Sequence, residues 1–210
     1  MAREPGDRRE RILTSAAALF ARKGVKATTV REIADEVGML SGSLYHHFES
    51  KEAMVDEIIT SYLEDLRTRY KTVLANDTDP RTRLHDLVVA SLEVVEAHPH
   101  ATEIYQNDVN YLAQIERFSY LKNAGKEVQG TWLEVINAGV EQGVFRSDLD
   151  PKIVYRLMRD AVWLSVRWFK PTHDYPIARL AEECTALFLD GLAVGAEGSI
   201  DVVRVRYGSG

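Results

Sequence analysis

Cysteine is almost missing from this chain: Cys184 stands alone among 210 residues. No internal disulfide can form, which fits a reducing compartment. Long apolar runs and leader-like segments are missing too, so a soluble, cytoplasmic protein with no membrane partner is expected. There is no Gly-rich phosphate loop, and Cys184 lies on an apolar stripe with no histidine partner, so no catalytic constellation emerges. No segment reads convincingly as a strand before residue 200, and no internal repeat is visible. Positive charge is scarce overall, with a net charge of −6. It is unevenly spread, however. Residues 1–51 hold nine Lys/Arg against seven Asp/Glu, and the remainder holds seventeen against twenty-five. The small basic excess therefore sits at one end, and sequence-independent binding to a polyanion should be modest.

Helical periodicity fills the rest. It predicts helices near 6–23, 51–75, 80–97, 101–113, 118–142, 151–169 and 177–194, separated by glycine, by Asn76-Asp77-Thr78-Asp79-Pro80, by His98-Pro99-His100, and by the loop from Pro171 to Pro176. The expected fold is all-α. A domain over 1–51 precedes a larger one over 52–195, and 196–210 reads as a loose tail in which Val202, Val203 and Val205 could extend.

Residues 28–51 carry the densest signal. Val30, Ile33, Ala34 and Val37 form one helix face, Thr29 and Glu32 make a capping box, and Gly38 ends the helix. Leu40, Leu44 and Phe48 mark the inner face of a second short helix, with the small residues Ser41, Gly42 and Ser43 at its start. Ser50 caps the next helix. Two short helices joined by a tight turn are the layout of a helix-turn-helix that docks on DNA.

The run Thr28-Thr29-x-Arg31-x-Ile33-Ala34, the Gly38 turn, Leu44-Tyr45-x-His47-Phe48 and Lys51 resembles the N-terminal domain of the TetR family of repressors. The resemblance implies specific roles. Thr28 and Thr29 would bond phosphate through hydroxyl and backbone N–H groups. Arg31 would reach a base edge, its alternative being a pair with Asp35. Ser41, Gly42 and Ser43 would face the groove, Tyr45 and His46 would meet phosphate or a base, and Lys51 would hold phosphate. His47 is expected to pack on the first helix. The His46-His47-Glu49 and His98-x-His100 groupings read as turns or solvated faces, so no metal is expected. A homodimer on a palindromic operator, with half-sites roughly 34–36 Å apart, completes the expectation. The last two helices would form the dimer bundle, unless the 177–194 stripe packs only within its own protomer.

The remaining three-quarters need a reason, and the family supplies a pocket for a small-molecule effector. The segment 151–170 is apolar nearly all round and should be mostly buried. Tyr155, Arg159, Trp163 and Arg167 recur at steps of four and form one ridge. A buried arginine needs an anionic partner, either a ligand or Asp160, Glu182 or Glu183. Trp163 beside Arg159 would suit an adenine ring near a phosphate. Ser91, Tyr105, Tyr111, Phe118 and Trp132 are further pocket candidates, each with core packing as its alternative. Within the family, LSGSLYHHFESKEAMVDE, RFSYL, GVEQGVFRSDLD and VYRLMRDAVWLSVRWF resemble the actinobacterial repressors of cholesterol breakdown. That resemblance implies a steroid-derived CoA thioester as effector and no cofactor. The rivals are a TetR-like repressor or activator with a non-CoA hydrophobic ligand, and an acyl-CoA-binding enzyme.

Overall fold

The computed structural model describes residues 5–192; the expected tail at 196–210 lies outside them. The described chain is all helical. The α1 helix (Pro5–Lys23) buries Ile12, Ala16, Leu19 and Phe20 and stops at Gly24, whose φ of 82° is open to glycine at no steric cost. The short α2 (Val30–Glu36) and α3 (Ser41–Leu44) are separated by Gly38 at φ 67°. The long α4 (Lys51–Ala75) starts where the Ser50 hydroxyl accepts the Ala53 N–H at 3.0 Å. Asp79 caps α5 (Pro80–Ala97), with proline at the first helical position where its missing N–H costs nothing. The α6 helix follows at Pro99–Leu112.

The body is built around α5. Leu84, Leu87, Val88, Leu92 and Val94 are fully buried, and the helix touches α4, α6, α7 (Leu121–Glu141), α8 (Pro151–Trp163) and α9 (Ile177–Leu192). At about 1.5–3 kcal/mol per buried aliphatic side chain, this one helix contributes a large share of the apolar stabilisation. The N-terminal domain is joined to the body through α1, which packs on α4 and α6.

Four expectations are corrected. The helix expected at 118–142 is a 3-10 turn at Glu116–Phe118 followed by α7. The helix expected at 151–169 is α-helical only to Trp163, then 3-10 over Leu164–Arg167. Helix α8 is not buried all round, since Ile153 and Leu157 are exposed, as is Trp168 beyond it. Of the α9 stripe expected at Ile177, Leu180, Ala181, Cys184, Leu187, Phe188, Gly191 and Leu192, the first three are buried, but Thr185 and Leu189 continue the buried line and Leu187 points out. The inner stripe of α9 packs on α5 of its own protomer.

Among the described glycines, the closest packing is at the end of α7. A Cβ built on Gly139 would lie 2.1 Å from the buried Phe145 ring. Gly139→Ala is therefore expected to destabilise by about 1–3 kcal/mol, read as a lower urea midpoint at unchanged slope.

Candidate nucleic-acid interface and ligand cavity

The helix-turn-helix is fixed from inside by Ile33, Ala34, Leu44 and Phe48. At the start of α2 the capping box is complete. The Thr29 N–H donates to the Glu32 carboxylate at 2.8 Å, and the Glu32 N–H donates to the Thr29 hydroxyl at 3.3 Å. The Lys23 ammonium also reaches Glu32. Its hydrogen bond, then those from the Thr29 N–H and hydroxyl, hold the Glu32 carboxyl down from 4.5 to about 2.

Arg31 projects into solvent with 85% of its side chain exposed, 3.9 Å from Asp35, so the ion pair holds it loosely. Gly42, Tyr45 and His46 are exposed on the same unit, and Ser41 and Ser43 are half-buried. His47 is half-buried and lines a groove with Arg9 of α1.

Three expectations change here. Thr28 is buried, and its hydroxyl donates to the Gly24 carbonyl at 2.8 Å, so it holds a turn instead of facing phosphate. Lys51 donates to the Val25 carbonyl at 2.8 Å and the Thr28 carbonyl at 2.9 Å, so its ammonium staples the α1–α2 turn to α4. Leu40, assigned to the inner face, is 80% exposed at the start of α3. A four-residue helix gives periodicity too little to work on.

The body holds a cavity of about 380 Å³, within the range of small-molecule sites. Its walls come from α4 (Tyr62, Leu63, Leu66), α6 (Tyr105, Gln106, Val109, Asn110), α7 (Gly125, Val128) and α8 (Tyr155, Arg159, Trp163). Four predicted residues thus meet there: Tyr105, Tyr155, Arg159 and Trp163. Arg159 is partly exposed and pairs with Asp160 at 2.6 Å. Trp163 is buried, and its indole N–H donates to the Tyr62 hydroxyl at 3.0 Å, so it forms wall instead of an open stacking platform for adenine. Burial raises the Tyr105 and Tyr155 phenols, and the Arg159 charge opposes that rise in both.

The other five do not line this cavity. The switch to 3-10 geometry after Trp163 takes Arg167 off the ridge, and it donates to Asn107 at 2.8 Å. Ser91 is buried and accepts from Tyr70 at 2.6 Å. Trp132 is buried and donates to Tyr70 at 2.8 Å. Phe118 is fully buried, and Tyr111 packs half-buried on the core. Sequence reasoning missed Tyr62 and the polar Gln106 and Asn110. Tyr62 had a signal: a phenol on the buried face of α4 needs a partner.

An exposed helix-turn-helix packed on a helical body that holds a side-chain-lined cavity is the layout of a DNA-binding regulator with room for a small molecule. Comparison with known proteins narrows this. Residues 12–58 match the N-terminal model of bacterial regulatory proteins of the tetR family, and residues 77–192 match the tetracyclin repressor-like C-terminal domain. The chain belongs to the TetR family. It is 46% identical to the HTH-type transcriptional repressor KstR2 of Rhodococcus jostii, over 89% of this chain and 91% of that protein. It is 43% identical to the KstR2 of Mycobacterium tuberculosis H37Rv, over 91% and 96%. The solved structure of the ketosteroid transcriptional regulator KstR2 of Mycobacterium tuberculosis superposes with a TM-score of 0.84 at 44% identity, covering 89% of this chain and 95% of that one.

Arg31→Ala should weaken binding to the specific operator by about 1–3 kcal/mol while changing binding to scrambled DNA far less; an electrophoretic titration on both duplexes reads the difference. For Glu32, folding favours the charged form. Its contribution is complete above pH 4.5 and is lost as the pH falls toward 2. The stability gap between wild type and Glu32→Gln should therefore be present at pH 6 and close by about pH 2, as followed by urea unfolding.

Proposed function

We propose that this protein is a homodimeric repressor of steroid-catabolism genes, released from a palindromic operator by a CoA thioester of a partly degraded steroid. The observation that carries the reading is the cavity: mostly apolar and aromatic walls, the amides of Gln106 and Asn110, and one arginine, Arg159, half out in solvent. An acyl body would sit against Trp163 and Tyr62, and the anionic CoA portion would meet Arg159 through charge-assisted bonds. The KstR2 relatives support the repressor role and the class of genes.

The exposed apolar side chains Ile153 and Leu157 of α8, Trp168 just beyond it, and Leu187 of α9 support pairing of two chains. A pair of recognition units is what a two-fold operator requires. Ligand binding and DNA binding would then be coupled reciprocally, each weakening the other by the same factor.

The test is fluorescence anisotropy of the chain's own upstream DNA, titrated with a steroid-derived CoA thioester and with a simple short acyl-CoA. Release by the steroid-derived compound alone is expected; release by neither, with DNA tightly bound, overturns the effector. Arg159→Ala should leave operator affinity unchanged and shift the releasing concentration upward by about tenfold, the scale of one lost charge-assisted bond.

A further inference from the structure

Two tryptophan–tyrosine pairs lie side by side in the body, with the indoles of Trp132 and Trp163 5.8 Å apart. Trp132 donates to the Tyr70 hydroxyl at 2.8 Å, and Trp163 donates to the Tyr62 hydroxyl at 3.0 Å. An indole N–H can only donate, so each phenol accepts and must place its own proton elsewhere. Tyr70 places it on the Ser91 hydroxyl at 2.6 Å, and Ser91 passes its proton to the Leu87 carbonyl at 2.7 Å. That chain is closed, with every donor matched.

The second pair is open. Tyr62 is 1% exposed and lines the cavity, and among the described residues no acceptor lies within hydrogen-bond distance of its hydroxyl proton. Buried donors in folded proteins are nearly always matched. The Tyr105 ring stands 5.7 Å from that of Tyr62, and the Tyr105 hydroxyl likewise meets no partner among the described residues. The inner part of the cavity therefore offers donors and asks for an oxygen.

We propose that Tyr62 donates its hydroxyl proton to a neutral carbonyl oxygen on the buried ring portion of the effector, and so selects a keto-bearing ring over its methylene counterpart. This deepens the reading of the cavity as an acyl-CoA site and rests on it. The acceptor is neutral because the cation lining this cavity, Arg159, is partly exposed and is assigned to the anionic CoA portion; a carboxylate driven down to Tyr62 would lack a counter-charge. The ring ketone is inward, and the thioester and CoA lead out past Arg159.

The experiment is titration calorimetry of the full chain without DNA. The probes are CoA thioesters of one decalin carboxylic acid: the parent with methylenes throughout, and a set carrying a single ketone at each ring position remote from the acyl chain. At least one ketone should bind wild type about five- to tenfold more tightly than the parent, the range of one buried hydrogen bond. Tyr62→Phe should erase that preference, so that it binds ketones and parent alike, whatever the loss of the Trp163 acceptor does to affinity for both. Ser91→Ala, which breaks the closed chain, should lower thermal stability and keep the preference. The proposal fails if wild type binds no ketone better than the parent, if Tyr62→Phe keeps the preference, or if nothing in the set binds. The wild-type half of the comparison decides even if Tyr62→Phe does not fold. A ketone preference without DNA release in the anisotropy assay would uphold this inference and sink the release mechanism; DNA release by parent and ketones alike would do the reverse.

Discussion

The ammonium of Lys51 resting on the carbonyls of Val25 and Thr28 is the joint on which the arrangement turns. A recognition unit of two short helices cannot hold its own orientation, and its hydrophobic contacts are non-directional. Lys51 gives it direction. It caps carbonyls that would otherwise be unmatched and does so from the first residue of a 25-residue helix. That helix is stiff, and at 1.5 Å per residue Tyr62 stands roughly 16 Å further along it. Whatever tilts α4 at the cavity tilts the recognition unit at its end.

A second tie reaches the same turn from α6. The Asp108 carboxylate accepts the Val25 N–H at 3.3 Å, while Tyr105, Gln106, Val109 and Asn110 of the same helix line the cavity. A third comes from the 3-10 turn before α7, where Arg117 pairs with Glu49 and Asp56, and Tyr120 donates to Asp56 at 2.9 Å. The cavity thus opens between the helices that hold the DNA-binding end. A ligand that favours a different α4–α6 separation biases that end without touching it. Under the proposed function, such a bias would pass through packed rods with polar ties at their tips, not through a loop.

Legibility followed the range of the interactions. Local signals were read correctly because local chemistry decides them: the Thr29–Glu32 box, Gly24 and Gly38 at helix ends, Ser50 ahead of α4, and Asp79-Pro80 ahead of α5. Ridges were read correctly only as far as the helix stayed regular. Tyr155, Arg159 and Trp163 share the cavity, and Arg167 leaves it because the backbone tightens after Trp163. Thr28 and Lys51 were assigned outward roles, yet each is bonded inward to backbone carbonyls, a choice set by how the turn folds back on α4. Ser91, Trp132 and Phe118 show the limit most plainly. Polar or aromatic residues on an apolar face suit a core and a pocket equally, and only the packing of distant helices decides between them.

The chain's three tryptophans are sorted in space: Trp132 and Trp163 form a buried pair at and beside the cavity, and Trp168 stands 66% exposed next to the outer face of α8 and α9. Emission from an indole shifts to the blue in apolar surroundings and to the red in water. The native protein therefore carries two optical channels of its own. The blue-emitting pair looks inward, at whatever enters between α4 and α8. The red-emitting indole looks outward, at whatever comes to cover that outer face.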